Sequence, residues 1–385
     1  MTEFLIQTLH GLTLGALFAL VAIGYTMVFG IIKLINFAHG EFYMTGGFTG
    51  MLVLMYLSGS GRLMVHSSGE LKLFVALAAA GMAVATLALA TERLVYRPIL
   101  GAGRISVLLT AVGMSMLLQN IGIGVFGNKN TGFPETVEDE HYPHTAISLS
   151  ELSAGKIAGN LIVYRTPYRD AHGNILAGPS GKPLGFISTT LVEAGQPIDG
   201  KKLQVAVAAI PEDVYAYPAL TIRKKQIIIF IALAVSALGL HLLVQKSRVG
   251  RAMRAVSHDM QAASLMGIDC SRIVALTFAI GGFFAGIGGV LAGGMFISTV
   301  DPMMGFMFGL KAFIAAVLGG IGNITGALLG GLMLGLIEQF AQHYADSVLF
   351  RGASSYRDAI AFVILIVVLL IRPRGFLGRV EGEKV

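Results

Sequence analysis

The chain has 385 residues, 55% of them hydrophobic and only 13% charged, about half the charged share of an ordinary soluble domain. That balance points away from a water-soluble fold and makes a bilayer the natural solvent. The formal net charge of +6 does not imply a nucleic-acid partner, because the basic residues gather beside apolar runs rather than in one stripe.

In chain order, apolar runs long enough to cross about 30 Å of hydrocarbon as helices occur at 5–32, 42–58, 73–91 and 105–126. The pattern then breaks. Residues 128–225 hold close to half of the acidic residues, several prolines and alternating β-branched runs such as Leu161–Tyr164 and Leu203–Val207. This segment reads as a soluble, β-rich insertion, with a turn over Asp170–Asn174 between two strands. Apolar runs resume at 227–245, 273–297, 303–322 and 324–345, and a short ninth at 359–371 borrows Gly352 to Asp358 to complete its crossing. The expected fold is an all-α polytopic membrane protein of eight or nine spans. Its parts are four helices in 1–127, the insertion 128–225, further helices in 226–372 with a long loop at 245–272, and a tail at 373–385.

Orientation follows from the basic residues. Lys33; Arg93, Arg97 and Arg104; Lys246, Arg248, Arg251, Arg254 and Arg272; and Arg372, Arg374 and Arg379 fall in alternate connections and the tail. The positive-inside rule makes those cytoplasmic, so the N-terminus lies outside, the C-terminus inside and the insertion outside. Asn323 alone separates 303–322 from 324–345, so these are either two full spans or half-helices meeting within the membrane.

Fifty glycines without collagen periodicity suit helices whose backbones approach closely where lipid supplies no hydrophobic drive. Gly282-x3-Gly286, Gly289-x3-Gly293 and Gly322-x3-Gly326-x3-Gly330 fit that use. The lone Cys270 excludes an intrachain disulfide, and no Cys/His zinc pattern, Walker A motif, nucleophile elbow or HExxH helix is present. Neither covalent chemistry nor a bound cofactor is expected on this chain.

Two groups of residues stand out. In the loop 245–272, Asp259 suits a helix N-cap and Gly267 a C-terminal stop; between them Ala262, Ala263 and Met266 share a face that would fit a partner's groove or rest on lipid headgroups. The second group is polar residues within or beside spans, which are costly and therefore functional candidates. Lys311 either meets a substrate carboxylate or pairs with a buried acid such as Glu338. Asn36, His39 and Glu41 either mark an unwound stretch facing a cavity or form a simple cytoplasmic turn. With Asn323 these are the candidate pathway residues; Gln119 and Asn120 suit hydrogen bonds between helices.

Four stretches carry a family resemblance. Gln261-Ala262-Ala263-x3-Gly267 resembles the E-A-A-x3-G loop of ABC importer permeases, with Gln in place of the leading Glu and no proline in the following Ile273–Leu276. The run GLTLGALFALVAIGYTMVFG from Gly11 to Gly30 with INFAHGE from Ile35 to Glu41, the run KAFIAAVLGGIGNITG from Lys311 to Gly326, and the tail RPRGFLG from Arg372 to Gly378 resemble the first permease subunit of high-affinity branched-chain amino acid importers. The resemblance implies an inner-membrane, pore-forming subunit paired with a second, similar permease. It also implies two ATPase subunits that bind ATP and magnesium, and a periplasmic amino-acid-binding protein. Asp259, Gln261, Ala262, Ala263 and Gly267 would form the loop that couples to the ATPases. A urea or short-amide importer of the same class, or an ion-coupled secondary transporter, is the alternative.

Overall fold

The computed structural model describes residues 2–33, 36–58, 68–99, 103–134, 137, 222–348, 352–372 and 375–378, and the strand residues 141–142, 145–146, 161–167, 185–191 and 215–217. The expected turn at 170–174 and strand at 203–207 lie outside them. The chain divides into two compact units, one of Met1–Ile6 with Glu138–Ile227 and one of Gln7–Val137 with Ile228–Val385.

The first unit contains strands. Leu161–Pro167 and Gly185–Leu191 pair antiparallel over seven residues each. Tyr215–Tyr217 and then Thr145–Ala146 extend this to a four-stranded sheet. His141–Tyr142 pairs separately with Ile222–Arg223.

The second unit is helical. Its elements are α1 (Thr2–Ile32), α2 (His39–Ser58), α3 (Gly69–Thr91), α4 (Arg104–Phe126), α5 (Lys224–Lys246), α6 (Arg248–His258), α7 (Met260–Leu265), α8 (Cys270–Leu291), α9 (Met304–Gly319), α10 (Ile324–Val348) and α11 (Arg357–Ile371). A π-helical turn continues α3 over Glu92–Tyr96 and another continues α8 over Ala292–Ile297. A 3-10 turn, Ala353–Tyr356, leads into α11 and lengthens that apolar segment as expected. Thr131–Gly132 pairs with Thr299–Val300, so the first residues after α4 belong to the helical unit.

Among the described residues, seven helices are long and apolar enough to cross a membrane, fewer than the eight or nine expected. The two that fall short are α2 and α9. Helix α2 carries His39, Glu41, Thr45, Thr49 and four glycines in its run, and α9 has only 16 residues, about 24 Å of helix. The polar His39 and Glu41 of α2 are turned into the bundle, where protein rather than lipid surrounds them, while Met55 and Tyr56 of α2 and Phe306 of α9 are exposed. Helix α9 packs against the 25-residue α10 as a hairpin, Gly319 against Gly326 and Ala315 against Gly330.

The helices are ranked by burial. The apolar window of α1 is 83% buried, against 22% for α5 and none for the last span, so α1 runs through the centre and α5 and α11 form the rim. Helix α8 packs against both α2 and α3. The glycine spacing noted in the sequence serves these crossings: Gly282 faces Val84 and Ala88 of α3, and Gly289 faces Tyr43 and Gly47 of α2. Close backbone approach maximises dispersion contacts, the main source of helix association in lipid.

Candidate functional site

The loop 245–272 folds as two short helices. Ser247 caps α6 by accepting from Gly250 N at 2.9 Å, and Met253 and Val256 are buried on one side while Arg251 and Arg254 are exposed on the other. Asp259 then caps α7: its carboxylate accepts from Gln261 N at 2.9 Å and Ala262 N at 3.0 Å. The stop is a Schellman turn. Gly267 N donates to Ser264 O at 3.0 Å and Ile268 N to Ala263 O at 3.1 Å, with Gly267 at φ +82°, a left-handed conformation natural to glycine. The proposed shared face of Ala262, Ala263 and Met266 is corrected. Ala263 is buried against its own chain, while Gln261 and Ala262 are exposed. The apolar end offered to a partner is Leu265, 89% exposed, with Met266, 83% exposed. A helix of six residues is too short for the expected face to form.

The interior site begins where α1 ends. Helix α2 does not start at the level of Ile32. A Cβ added at Gly24 would lie 2.5 Å from His39 Nε2, and the His39 ring sits 4.5 Å from that of Tyr25. Gly24 precedes the end of α1 by eight residues, about 12 Å of helix. The connection after Lys33 therefore returns into the bundle, and α2 begins inside it. Asn36 holds this return: its Oδ1 accepts from Ala38 N at 3.1 Å and from the Tyr96 hydroxyl at 2.6 Å. Tyr96 belongs to the π-helical end of α3, a geometry that recurs at functional positions.

Asn36, His39 and Glu41 are all buried, at 3%, 1% and 0% exposure. Glu41 Oε1 accepts from Ser115 Oγ of α4 at 3.1 Å. Its Oε2 faces Gly305 in the first turn of α9, where an added Cβ would collide with it. Glu41 Oε2, His39 Nε2 and Asn36 Nδ2 have no hydrogen-bond partner among the described residues. Gly40 meets Gly305 and Gly309 so closely that a side chain at any of the three would strike backbone. Thus the first turns of α2 and α9 abut, with a carboxylate between them.

Lys311 lies elsewhere in its connections. Its Nζ contacts Glu338 Oε1 of α10 at 2.6 Å and Asp358 Oδ1 of α11 at 2.9 Å, and lies 5.7 Å from the Phe18 ring centre. Arg357 approaches Glu338 at 3.7 Å and donates to Gln342 at 2.8 Å. Two cations meet two anions, the pairing that the sequence offered as one of two alternatives.

Asn323 is a cap. Its Oδ1 accepts from Thr325 N at 3.1 Å and Gly326 N at 3.3 Å at the start of α10, and its Nδ2 donates to Leu377 O at 3.1 Å. The tail is bound in the same place, with Phe376 N donating to Leu318 O at 2.8 Å and Leu377 N to Gly319 O at 3.0 Å. Asn120 donates to Met116 O of its own helix at 2.7 Å, not between helices.

The structure brings Asn36, His39 and Glu41 together and leaves Lys311 and Asn323 in separate surroundings. It adds Tyr25, Tyr96 and Ser115. Ser115 is one of few hydroxyls in the apolar run of α4, the kind of isolated polar residue that a sequence can flag. Nothing in the pattern around Tyr96 foretold its bond to Asn36.

No solved structure matches the chain significantly. Residues 7–369 match the model of a family described as branched-chain amino acid transport system / permease component. The chain is 36% identical to the high-affinity branched-chain amino acid transport system permease protein BraD of Pseudomonas aeruginosa over 384 residues, 100% of this chain and 98% of that protein. It is 35% identical to the corresponding protein LivH of Escherichia coli K12, over 99% of this chain and 98% of that one. A shorter stretch, 33% of this chain and 40% of the relative, is 30% identical to the Escherichia coli ribose import permease protein RbsC. With a multi-pass apolar bundle and a match along nearly its whole length, the chain belongs to the branched-chain amino acid transport system permease family.

Proposed function

We propose that the chain is a pore-forming permease subunit of an ABC importer that carries branched-chain amino acids across a bacterial inner membrane, with its N-terminus outside and its C-terminus in the cytoplasm. A second, similar permease completes the pathway. Two ATPase subunits bind ATP and magnesium, and a periplasmic binding protein delivers the cargo. Full-length likeness to BraD and LivH supports the cargo class. The observation that carries the coupling is the capped helix α7, which presents Leu265 and Met266 almost fully exposed on a chain without a Walker A motif.

The mechanism assigned is mechanical. Asp259 and Gly267 fix both ends of α7, so a displacement imposed on Leu265 by a partner passes to Ala263 and along α8 rather than dissipating in the loop. Helix α8 lies against α2 and α3, which hold Glu41 and Tyr96. Of the interior polar residues, Asn36, His39 and Glu41 are assigned to the pathway. Lys311 and Asn323 are assigned to holding helices, which the ion pairs of Lys311 and the capping bonds of Asn323 support.

The test is reconstitution in proteoliposomes with the second permease, the ATPases and the binding protein. Leucine, isoleucine or valine is expected to stimulate ATP hydrolysis and accumulate inside, and urea and ribose are not. Leu265→Asp is expected to lower stimulated hydrolysis at least about tenfold, because a charge in the centre of an apolar contact costs more than 1.4 kcal/mol, without changing the melting of the purified chain. Stimulation by urea alone, or unchanged coupling in Leu265→Asp, would overturn the corresponding part.

A further inference from the structure

The unmatched carboxylate at the start of α2 asks for a cation. Three glutamates are fully or almost fully buried in the helical unit: Glu41, Glu92 and Glu338, at 0%, 0% and 3% exposure. Glu92 pairs with Arg97 at 2.9 Å and Glu338 with Lys311 at 2.6 Å. Glu41 has no ion-pair partner among the described residues. Its one hydrogen bond comes from Ser115, and its Oε2 has none. The abutting first turns of α2 and α9 offer partial positive charge, which favours the anion but does not supply a counter-ion. An isolated buried carboxylate is costly unless a charge of opposite sign meets it.

The surroundings select the cation. Gly40, Gly305 and Gly309 bring α2 and α9 together at this carboxylate without side chains of their own, and Phe42 and the stacked pair Tyr43 and Phe308, 4.5 Å apart, belong to the same two helices. A single carboxylate in an otherwise apolar stretch fits an alkyl group that bears an ammonium. We propose that Glu41 is the counter-ion for the α-ammonium group of the passing amino acid, reached when α2 and α9 separate, and that this structure holds the contact closed. The assignment rests on the amino-acid cargo proposed above and adds the residue that recognises it. The glycine contact is backbone against backbone, and the side-chain contact that parts with it is the stack of Tyr43 on Phe308.

The experiment is leucine uptake and ATP hydrolysis by the complete reconstituted importer carrying Glu41→Gln, Glu41→Asp or Ser115→Ala. Glutamine keeps the shape and the bond from Ser115 but removes the charge. Glu41→Gln is expected to assemble normally and lower leucine moved per ATP hydrolysed by at least about tenfold, the smallest loss expected when one member of a buried charge pair is removed. Glu41→Asp keeps the charge and retains uptake well above the glutamine variant, and so does Ser115→Ala, which keeps the charge and loses only one donor to it. Leucine uptake within twofold of wild type in Glu41→Gln overturns the proposal. So does an equal loss in Ser115→Ala, which would make the residue a helix tie. If Glu41→Gln fails to assemble, the aspartate and alanine variants decide: uptake lost in both overturns it, uptake kept in both supports it. Failure of the wild-type complex to move leucine would instead refute the cargo assignment.

Discussion

Two buried charge sites in one bundle follow opposite rules. Around Lys311, two cations and two carboxylates from α9, α10 and α11 meet within 4 Å and balance. Around Glu41, three helices converge on one carboxylate that is given a hydroxyl and a glycine. A balanced set ties elements together in every state. An unbalanced one makes sense when its partner arrives from elsewhere. Lys311, the more conspicuous residue in the sequence, is therefore the less informative about cargo.

The difference can be tested from its strong side first. Among the described residues, Lys311→Ala leaves the buried Glu338 with only Arg357, at 3.7 Å, and is expected to cost about 3 kcal/mol, read as loss of monodisperse protein in detergent and a lower melting temperature. Lys311→Met with Glu338→Leu is expected to recover most of that stability and to transport. If the double variant folds but stays inactive, the balanced site does more than hold helices. Next, Gly40→Val drives a side chain into the Gly305 carbonyl, an overpacking expected to cost about 1–3 kcal/mol. Gly113→Val, where nothing lies within 4 Å, is the control, and thermal melts of both check whether the α2–α9 contact is as tight as drawn. Smallest is Ser115→Ala, whose lost hydrogen bond to a carboxylate is worth about 1.5 kcal/mol. A larger fall in melting temperature than Lys311→Ala produces would reverse the ranking of the two sites.

Much of this fold was legible. Runs of apolar residues about 20 long announced the spans, and Asp259 and Gly267 bracketed α7 because capping chemistry is local. What remained hidden depended on distant pairings. The return of the chain after Lys33 needs Tyr96, sixty residues further on, to hold Asn36, and no local pattern records that. The same holds for Ala263, whose burial is decided by the helices beneath it and not by its spacing from Ala262. Lys311 could be read two ways because its partners Glu338 and Asp358 lie on other helices. The extent of each span was less legible: α9, with 16 residues, is shorter than its apolar run suggested, while α2, with 20, is long enough to cross but carries the buried His39 and Glu41.

The backbone amides of Phe376 and Leu377 finish the end of α9 by meeting the carbonyls of Leu318 and Gly319, which the helix itself leaves open. Phe376 and Leu377, beyond the last span, are thus built onto the end of α9 and are not a dispensable trailer. An affinity tag or fluorescent fusion joined directly after Ile371 would unseat them, whereas one attached beyond Gly378 leaves the seal in place.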